Sequence, residues 1–241
     1  MPCRQQGRFT PFWECVERLE RPAGTPPPIV RYNNSVAQAR NQITRVALEQ
    51  GADAIFFLDD DMLFTPDVLM RLLARPEAIV IGLTMMRVTG DDGQFYPIWS
   101  DRTMTPVQAN QRKGQPGQWQ WESVQDVTPG PNGLKPLVSG TGGGVLIRRK
   151  VFETVPDPWW QMGHYDPEMF HEDIFFYETA TDYGFQVWGD PSVRFGHYDL
   201  QVLWPHQRED GTWSTVIGHG FNGFMELPWR SAAPARDLVP A

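Results

Sequence analysis

Residues 54–61 have the sequence AIFFLDDD, in which an apolar run ends directly in Asp59, Asp60 and Asp61. A short apolar run between polar residues is typical of a β-strand that is buried on both faces. Three adjacent carboxylates repel one another unless a cation compensates their charge. Carboxylate oxygens suit Mg²⁺ and Mn²⁺, and open α/β sheets bind ligands beyond the carboxyl ends of their strands. The stretch therefore predicts a divalent-metal site that holds a phosphorylated substrate, and the alternative is an acidic turn into the next helix.

The segments on both sides of this stretch predict an alternation of helices and strands. Ser35 caps a helix whose apolar residues recur at helical spacing, and Gly51 lies where that helix should end. The sequence Thr-Pro-Asp at residues 65–67 predicts a second helix start, and residues 78–83 predict the next buried strand. This order predicts an α/β fold with a mostly parallel central sheet flanked by helices.

The length of the chain predicts one domain that covers residues 1–241. Helical and strand periodicity both fail from about residue 88 to 133, where Gly, Gln, Pro and Trp dominate, so a long loop or hairpin excursion is expected there. The segment from about residue 200 to 241 also lacks clear periodicity and is expected to be irregular.

Bulk properties limit the partners and the location of the chain. The formal net charge of -8 gives no overall attraction to nucleic acid or to anionic membranes. The polar N-terminus has no signal-peptide core, and no run approaches the roughly 20 apolar residues of a membrane span. A cytoplasmic protein is therefore expected, with Cys3 and Cys15 as reduced thiols.

A second acidic feature is the pair Glu172 and Asp173, which follows His171 at a predicted helix start. Acidic residues are common in a first helical turn because the helix dipole favours ionised carboxylates there, so the pair alone is ambiguous. The aromatic-rich segment before it, which includes Trp159 and Trp160, favours a site. A carboxylate at this position is suited to take the proton of an acceptor hydroxyl.

Two further motifs carry weaker signals. His197 follows a short predicted strand, and imidazole can join the Asp61 carboxylate around a metal such as Mn²⁺. The three glycines at 142–144 permit close approach by a ligand, although a bulge or a tight bend explains them equally simply. Neither a phosphate-binding P-loop nor a dinucleotide fingerprint is present in the sequence.

Taken in this order, these motifs resemble those of GT-A fold glycosyltransferases (nucleotide-diphospho-sugar transferases), particularly the family 2-like enzymes of bacteria and phages. The matching segments are Arg40-Asn41, Phe56 to Asp61, Gly142 to Arg148, His171 to Phe176, and Gly196-His197. The resemblance covers roughly residues 29 to 200. It implies a hexosyl- or N-acetylhexosaminyltransferase that uses a nucleotide-sugar donor, usually a UDP-sugar, held through Mn²⁺ or Mg²⁺ by the D-x-D element.

The resemblance also implies roles for individual residues. The implied metal ligands are Asp61, Asp59 and His197. The implied donor-binding residues are Pro2, Arg4, Arg40, Asp59, Asp60, Gly143 and Gly144. The implied catalytic residues are Asp173, as the general base of an inverting transfer, and its neighbour Glu172. The implied acceptor-binding residues are Trp159, Trp160 and His171. In one respect the chain departs from the family, because its first residues stand where an apolar first strand should be ending.

The acceptor and the class of activity stay open at this point. The acceptor is either a saccharide or, as in a phage enzyme, a hydroxymethylated DNA base. A metal-dependent phosphoesterase or nucleotidyltransferase would use the same three aspartates. A non-catalytic nucleotide- or carbohydrate-binding protein on a decayed transferase fold is the third interpretation.

Overall fold

A computed structural model describes residues 2–3, 10–32, 35–89, 95–101, 122–124, 126–165, 168–198, 202–219 and 222–228. The helices in these ranges are α1 (Thr10–Arg18), α2 (Val36–Glu49), α3 (Val68–Leu73), α4 (Arg149–Thr154) and α5 (Glu172–Asp182). The strands are β1 (Pro2–Cys3), β2 (Arg31–Tyr32), β3 (Ala54–Phe57), β4 (Met62–Phe64), β5 (Ile79–Thr89), β6 (Phe95–Pro97), β7 (Trp99–Asp101), β8 (Glu122–Ser123), β9 (Lys135–Leu137), β10 (Ser139–Gly140), β11 (Val145–Arg148), β12 (Gly163–Tyr165), β13 (Glu168–Phe170), β14 (Val187–Tyr198), β15 (Val202–Gln207), β16 (Trp213–His219) and β17 (Asn222–Pro228).

A large mixed sheet organises the fold. Its strand order is β17-β16-β15-β14-β5-β11-β3, with β4 and β9 paired to β14 and with β6 paired to β5. Strands β14 and β5 are parallel, whereas β11 is antiparallel to both β5 and β3, and the remaining pairs of this sheet are antiparallel. The prediction of an α/β protein is therefore confirmed, but the prediction of a mostly parallel sheet is wrong.

The reason for this error is the position of β11. The alternation over residues 54–83 does make β3 and β5 parallel to each other, since both are antiparallel to β11. The chain returns as β11 only after the long excursion, and it inserts between the two strands. Local periodicity predicts that a strand exists, but it does not predict where a strand so distant in sequence will pair.

The C-terminal part of the chain is more regular than expected. Within residues 202–219 and 222–228, the antiparallel strands β15, β16 and β17 extend the sheet beyond β14. Pro205 lies within β15, and a proline inside an apolar run argues against a strand at the level of sequence. In the excursion, β5 continues to Thr89, and the described residues form the short strands β6, β7 and β8.

Helices cover both faces of the sheet, as predicted. Successive residues of β5 point to opposite faces, so that Ile79 and Ile81 enter one hydrophobic cluster and Val80 enters the other. The first cluster contains residues of α2, α4 and α5, namely Ile43, Ala47, Val151, Phe152, Phe176 and Tyr177. The second contains residues of α1 and α3, namely Phe12, Val16, Val68, Leu69 and Leu72.

A cavity of about 590 Å³ lies beside β3, which is the last strand of the large sheet on this side in the described ranges. Its walls include residues 21–29, Ile43 of α2 and Leu69 of α3. Strand β1 pairs in parallel with β2 in a separate two-stranded sheet, in the register Pro2 to Arg31. Leu58 is the one cavity-lining residue that borders the aspartate triplet, and none of the candidate site residues lines the cavity.

Over the part of the chain that the structure describes, no helix combines the length and the apolar character needed to span a membrane.

Helix α2 is joined to the chain after α4 through a buried amide. The Asn41 side-chain nitrogen donates to the Trp160 carbonyl at 2.7 Å, and the Trp160 backbone N–H donates to the Asn41 side-chain oxygen at 3.1 Å. Asn41 is 7% exposed and Trp160 is 1% exposed, so the side chain of Asn41 satisfies two buried backbone groups of Trp160. This pair of bonds fixes α2, which carries Arg40, against the first hydrophobic cluster.

We predict that Asn41→Ala lowers the free energy of unfolding by about 2–3 kcal/mol, because it leaves a buried N–H and a buried carbonyl of Trp160 without partners. Urea denaturation followed by circular dichroism measures this change. Glu49→Ala, at an exposed position of the same helix, is the matched control and should change the stability by less than about 0.5 kcal/mol. Equal effects of the two substitutions would contradict the role of Asn41.

Candidate functional site

The aspartate triplet occupies the connection between β3 and β4. Strand β3 is held by β11, and β4 pairs with β14 in a register that places Met62 opposite His197. The Tyr198 N–H donates to the Asp61 carbonyl at 2.7 Å, which extends this pairing by one residue. Two segments that are far apart in the sequence, around Asp61 and around His197, therefore meet because of strand register.

The His197 ring presents one nitrogen to Asp61. Its Nδ1 lies 2.9 Å from the Met85 carbonyl oxygen, and because a carbonyl can only accept, Nδ1 must carry the hydrogen. In the neutral ring, Nε2 then offers a lone pair, and it lies 3.7 Å from the Asp61 Oδ2 atom. A histidine that binds a metal through one ring nitrogen commonly donates its other ring N–H to a backbone carbonyl, as Nδ1 does here.

The two side chains fit a shared divalent cation. Ligand atoms about 2.1 Å from one ion lie roughly 3–4 Å apart, which matches the separation of His197 Nε2 and Asp61 Oδ2. Within the described ranges, no group of three or more His, Cys, Asp or Glu side chains is placed to hold a metal. An ion such as Mg²⁺ is often held by one or two protein ligands together with substrate phosphates, so two ligands are compatible with a site that the substrate completes.

Arg87 of β5 also contacts this carboxylate. Its Nη2 lies 2.9 Å from Asp61 Oδ2, which is the same oxygen that faces His197. A cation bound to Asp61 would therefore share this oxygen with the guanidinium or displace it. No sequence pattern points to Arg87, because the strand that carries it continues beyond the apolar run at residues 78–83.

Asp59 is predicted to bind a metal, but in the structure its carboxylate pairs with Arg40. The Arg40 Nη2 atom donates to both of its carboxylate oxygens, at 2.8 and 3.0 Å. The Arg40 Nη1 atom donates to Glu172 Oε1 at the start of α5. The Arg40 side chain is 2% exposed; its burial lowers the pKa of the guanidinium, but the carboxylates of Asp59 and Glu172 outweigh this effect and raise that pKa above the usual range. Arg40 thus connects the aspartate triplet with the acidic pair, and it is not exposed to a donor nucleotide.

Two residues of the glycine triplet lie directly against the buried Arg40–Asp59 ion pair. A Cβ at position 142 would overlap Nη1 of Arg40, and a Cβ at position 143 would lie 2.6 Å from Asp59 Oδ2. Gly144 has a φ of +68°, and a Cβ there would lie 2.9 Å from the Phe195 ring. Gly142 was not among the predicted donor-binding residues. In the structure Gly142 and Gly143 make room for the Arg40–Asp59 ion pair.

The acidic pair divides into a buried and an accessible carboxylate. Glu172 is 7% exposed and pairs with Arg40. Asp173 is half-buried, and its Oδ1 accepts the Ile174 N–H at 2.8 Å. Burial raises the pKa of Asp173 from 3.8 to about 6, and the negative charge of Glu172 adds to this effect, while Arg40 and the bond from Ile174 oppose it. A carboxyl with this pKa is mostly ionised at neutral pH and is still basic enough to accept a proton.

The two tryptophans that were assigned to the acceptor surface are buried. Trp159 is 7% exposed and donates to the Phe152 and Val155 carbonyls, and Trp160 is 1% exposed and stacks on Phe176 with ring centroids 4.3 Å apart. Their burial removes them from the acceptor surface, because no ring face is available for stacking. Core packing therefore explains the two tryptophans of the aromatic-rich segment.

The other predicted residues have mixed outcomes. His171 is exposed and immediately precedes α5, beside the acidic pair. Asp60 is buried at 9% exposure. Pro2 belongs to β1, but its side chain is not described, and Arg4 lies outside the described residues.

No family model and no curated protein matches the chain. Among solved structures, the crystal structure of A197 from STIV matches with a TM-score of 0.48 and 16% sequence identity, over 82% of this chain and 83% of that chain.

We predict that Asp173→Asn stabilises the protein at pH 7.5. Because the pKa of Asp173 is raised on folding, the folded state holds this proton more tightly than the unfolded state, and the stability falls as the pH rises from about 4 to about 6. Asparagine removes this cost and still accepts the Ile174 N–H, so we expect a gain of about 1–2 kcal/mol at pH 7.5, allowing for partial exposure, and none at pH 3.5.

Urea denaturation at the two pH values measures this difference. Asp53→Asn, at an exposed aspartate, is the control for the loss of one negative charge. An Asp173→Asn protein that is less stable than the wild type at pH 7.5 would show that the carboxylate is stabilising in the folded state.

Proposed function

We propose that the protein is a metal-dependent glycosyltransferase of the GT-A type, which moves a sugar from a nucleotide-sugar to an acceptor hydroxyl. The observation that carries this proposal is the meeting of the aspartate triplet after β3 with the acidic pair of α5 through Arg40. This arrangement supports a site with a donor side, at Asp61 and His197, and an acceptor side, at Asp173.

On the donor side, Asp61 and His197 would hold Mn²⁺ or Mg²⁺ together with the diphosphate of a UDP-sugar. The bound metal would offset the charge that builds on the leaving diphosphate. The carboxylates of residues 59–61, 172 and 173 outnumber the guanidiniums of Arg40 and Arg87 at this site. This excess of negative charge favours a bound cation over a bare anionic ligand.

On the acceptor side, Asp173 acts as the general base. As the acceptor oxygen forms its bond to the anomeric carbon, the bond from that carbon to the diphosphate oxygen breaks, and the hydroxyl proton moves to the Asp173 carboxylate. A single displacement needs one general base and inverts the anomeric centre, so we expect an inverting transfer. Glu172 supports this step through its charge and does not contact the acceptor, because it is buried against Arg40.

We propose a saccharide as the acceptor in preference to a hydroxymethylated DNA base. A net charge of -8 gives no general attraction to a polyphosphate backbone. Among the described residues, Trp159 and Trp160, which the sequence suggests for stacking on a flipped base, are also part of the core.

We predict that one UDP-sugar raises the thermal unfolding midpoint only when Mn²⁺ or Mg²⁺ is present, because a ligand that binds the folded state alone stabilises it by mass action. Differential scanning fluorimetry with a panel of nucleotides and nucleotide-sugars tests this. Asp61→Ala should abolish the metal-dependent shift, whereas Asp53→Ala, at an exposed aspartate, should retain it. A shift that needs no metal, or that survives in Asp61→Ala, would contradict the proposed metal site.

We predict that Asp173→Asn reduces transfer at least 1,000-fold and leaves the affinity for UDP within about threefold of wild type, because only the base is lost. In the wild type, the rate should fall tenfold per pH unit below about pH 6, since the protonated carboxyl cannot accept the hydroxyl proton. Release of UDP and formation of a glycoside measure the rate. Release of a sugar phosphate would instead indicate a phosphoesterase, and release of pyrophosphate a nucleotidyltransferase.

A further inference from the structure

Arg40 makes contacts to both sides of the proposed site at once. Its Nη2 binds Asp59, which directly precedes Asp60 and Asp61, and its Nη1 binds Glu172, which directly precedes Asp173. One planar guanidinium therefore fixes the distance between the donor-side and the acceptor-side carboxylates. A planar guanidinium can bridge two carboxylates with two separate nitrogens, whereas the ammonium of lysine is a single point of charge.

The guanidinium is also enclosed. Its carbon lies 5.1 Å from the centroid of the Trp160 ring, and position 142 has no room for a Cβ. The loop with the glycines is held towards α5, because the Tyr177 hydroxyl donates to the Thr141 carbonyl at 2.7 Å. A 2% exposed group that is packed in this way is held in one orientation and does not reach a substrate.

We infer that Arg40 is a positioning residue that couples the two sides of the site: it holds Asp59 and Glu172 in a fixed relation and contacts neither the donor nor the acceptor. This inference rests on the proposed function. It predicts that a change at Arg40 affects the alignment of the acceptor-side base with the donor, and therefore the turnover, much more than the binding of the nucleotide.

The coupling also has an electrostatic consequence. The charged groups that act on the Asp173 carboxyl are Glu172 and His171 of the same segment and Arg40 of α2. Because Arg40 is held against Glu172, the negative charge beside Asp173 is partly compensated, and the pKa of the Asp173 carboxyl is lower than it would be without the guanidinium.

The test compares two arginines on one helix. Arg40→Lys keeps the positive charge but loses the bridge between Asp59 and Glu172. Arg45→Lys makes the same substitution at an exposed residue, which pairs with Asp157 at 2.6 Å. Gly142→Ala perturbs the Arg40 guanidinium from the other side without changing any charge. For each variant, the unfolding midpoint, the affinity for UDP with Mg²⁺ by calorimetry, and kcat and KM for the donor are measured.

We expect Arg40→Lys and Gly142→Ala to lower kcat about 30- to 100-fold with a UDP affinity within about threefold of wild type, while Arg45→Lys behaves as the wild type. In Glu172→Gln, the acidic limb of the pH profile should move to lower pH, because a charge that raises the pKa of Asp173 is removed. Gly142→Ala and Glu172→Gln keep the test valid if Arg40→Lys does not fold.

Three results would overturn the inference, and they differ from one another. Full turnover in Arg40→Lys and Gly142→Ala would show that the contact is dispensable. A parallel loss of turnover, UDP affinity and unfolding midpoint would show that Arg40 is only structural. Failure of the wild type to bind UDP with any metal would overturn the proposed function, and the positioning role with it.

Discussion

The buried guanidinium of Arg40 is the interaction on which the arrangement of the site depends. A charge that is removed from water must be paired and hydrogen-bonded, and the two carboxylates of Asp59 and Glu172 meet this requirement. Each partner fixes an element: Asp59 fixes the turn after β3, and Glu172 fixes the first turn of α5. Removal of Arg40 would leave these two carboxylates without a compensating cation, so the positions of both elements depend on α2.

The same contacts leave the site with an unequal distribution of charge. Asp59 and Glu172 share the single charge of Arg40, and Arg87 contacts Asp61, whereas Asp173 lies beside Glu172 with a raised pKa. A carboxyl in this state weakens the folded protein at neutral pH, and it has the proton affinity that a general base needs. The residue that costs stability is thus the one proposed for the chemistry, as expected where function opposes stability.

Local sequence patterns predicted the local features and failed where distant contacts decide. The apolar run at residues 54–58 predicted a buried strand, and the acidic pair at 172–173 predicted a helix start, because both follow from propensity and capping. The relative direction of neighbouring strands was not predictable, because β11 inserts between β3 and β5 after a long excursion in the sequence. Trp159 and Trp160 were assigned to a surface because the composition of a segment does not reveal the face to which each ring points.

The position of the Arg40 side chain was also not predictable from local sequence patterns. The sequence places an arginine on a helix with an apolar face, and a solvated position is then as reasonable as a buried one. The signal that distinguishes them lies about a hundred residues away, in Gly142 and Gly143, whose missing side chains make room for the guanidinium and for Asp59. The aspartates, the glycines and the acidic pair are therefore not three separate ligand-binding motifs. They are parts of one packed unit around a single charge, and the geometry of the site follows from how that charge is satisfied.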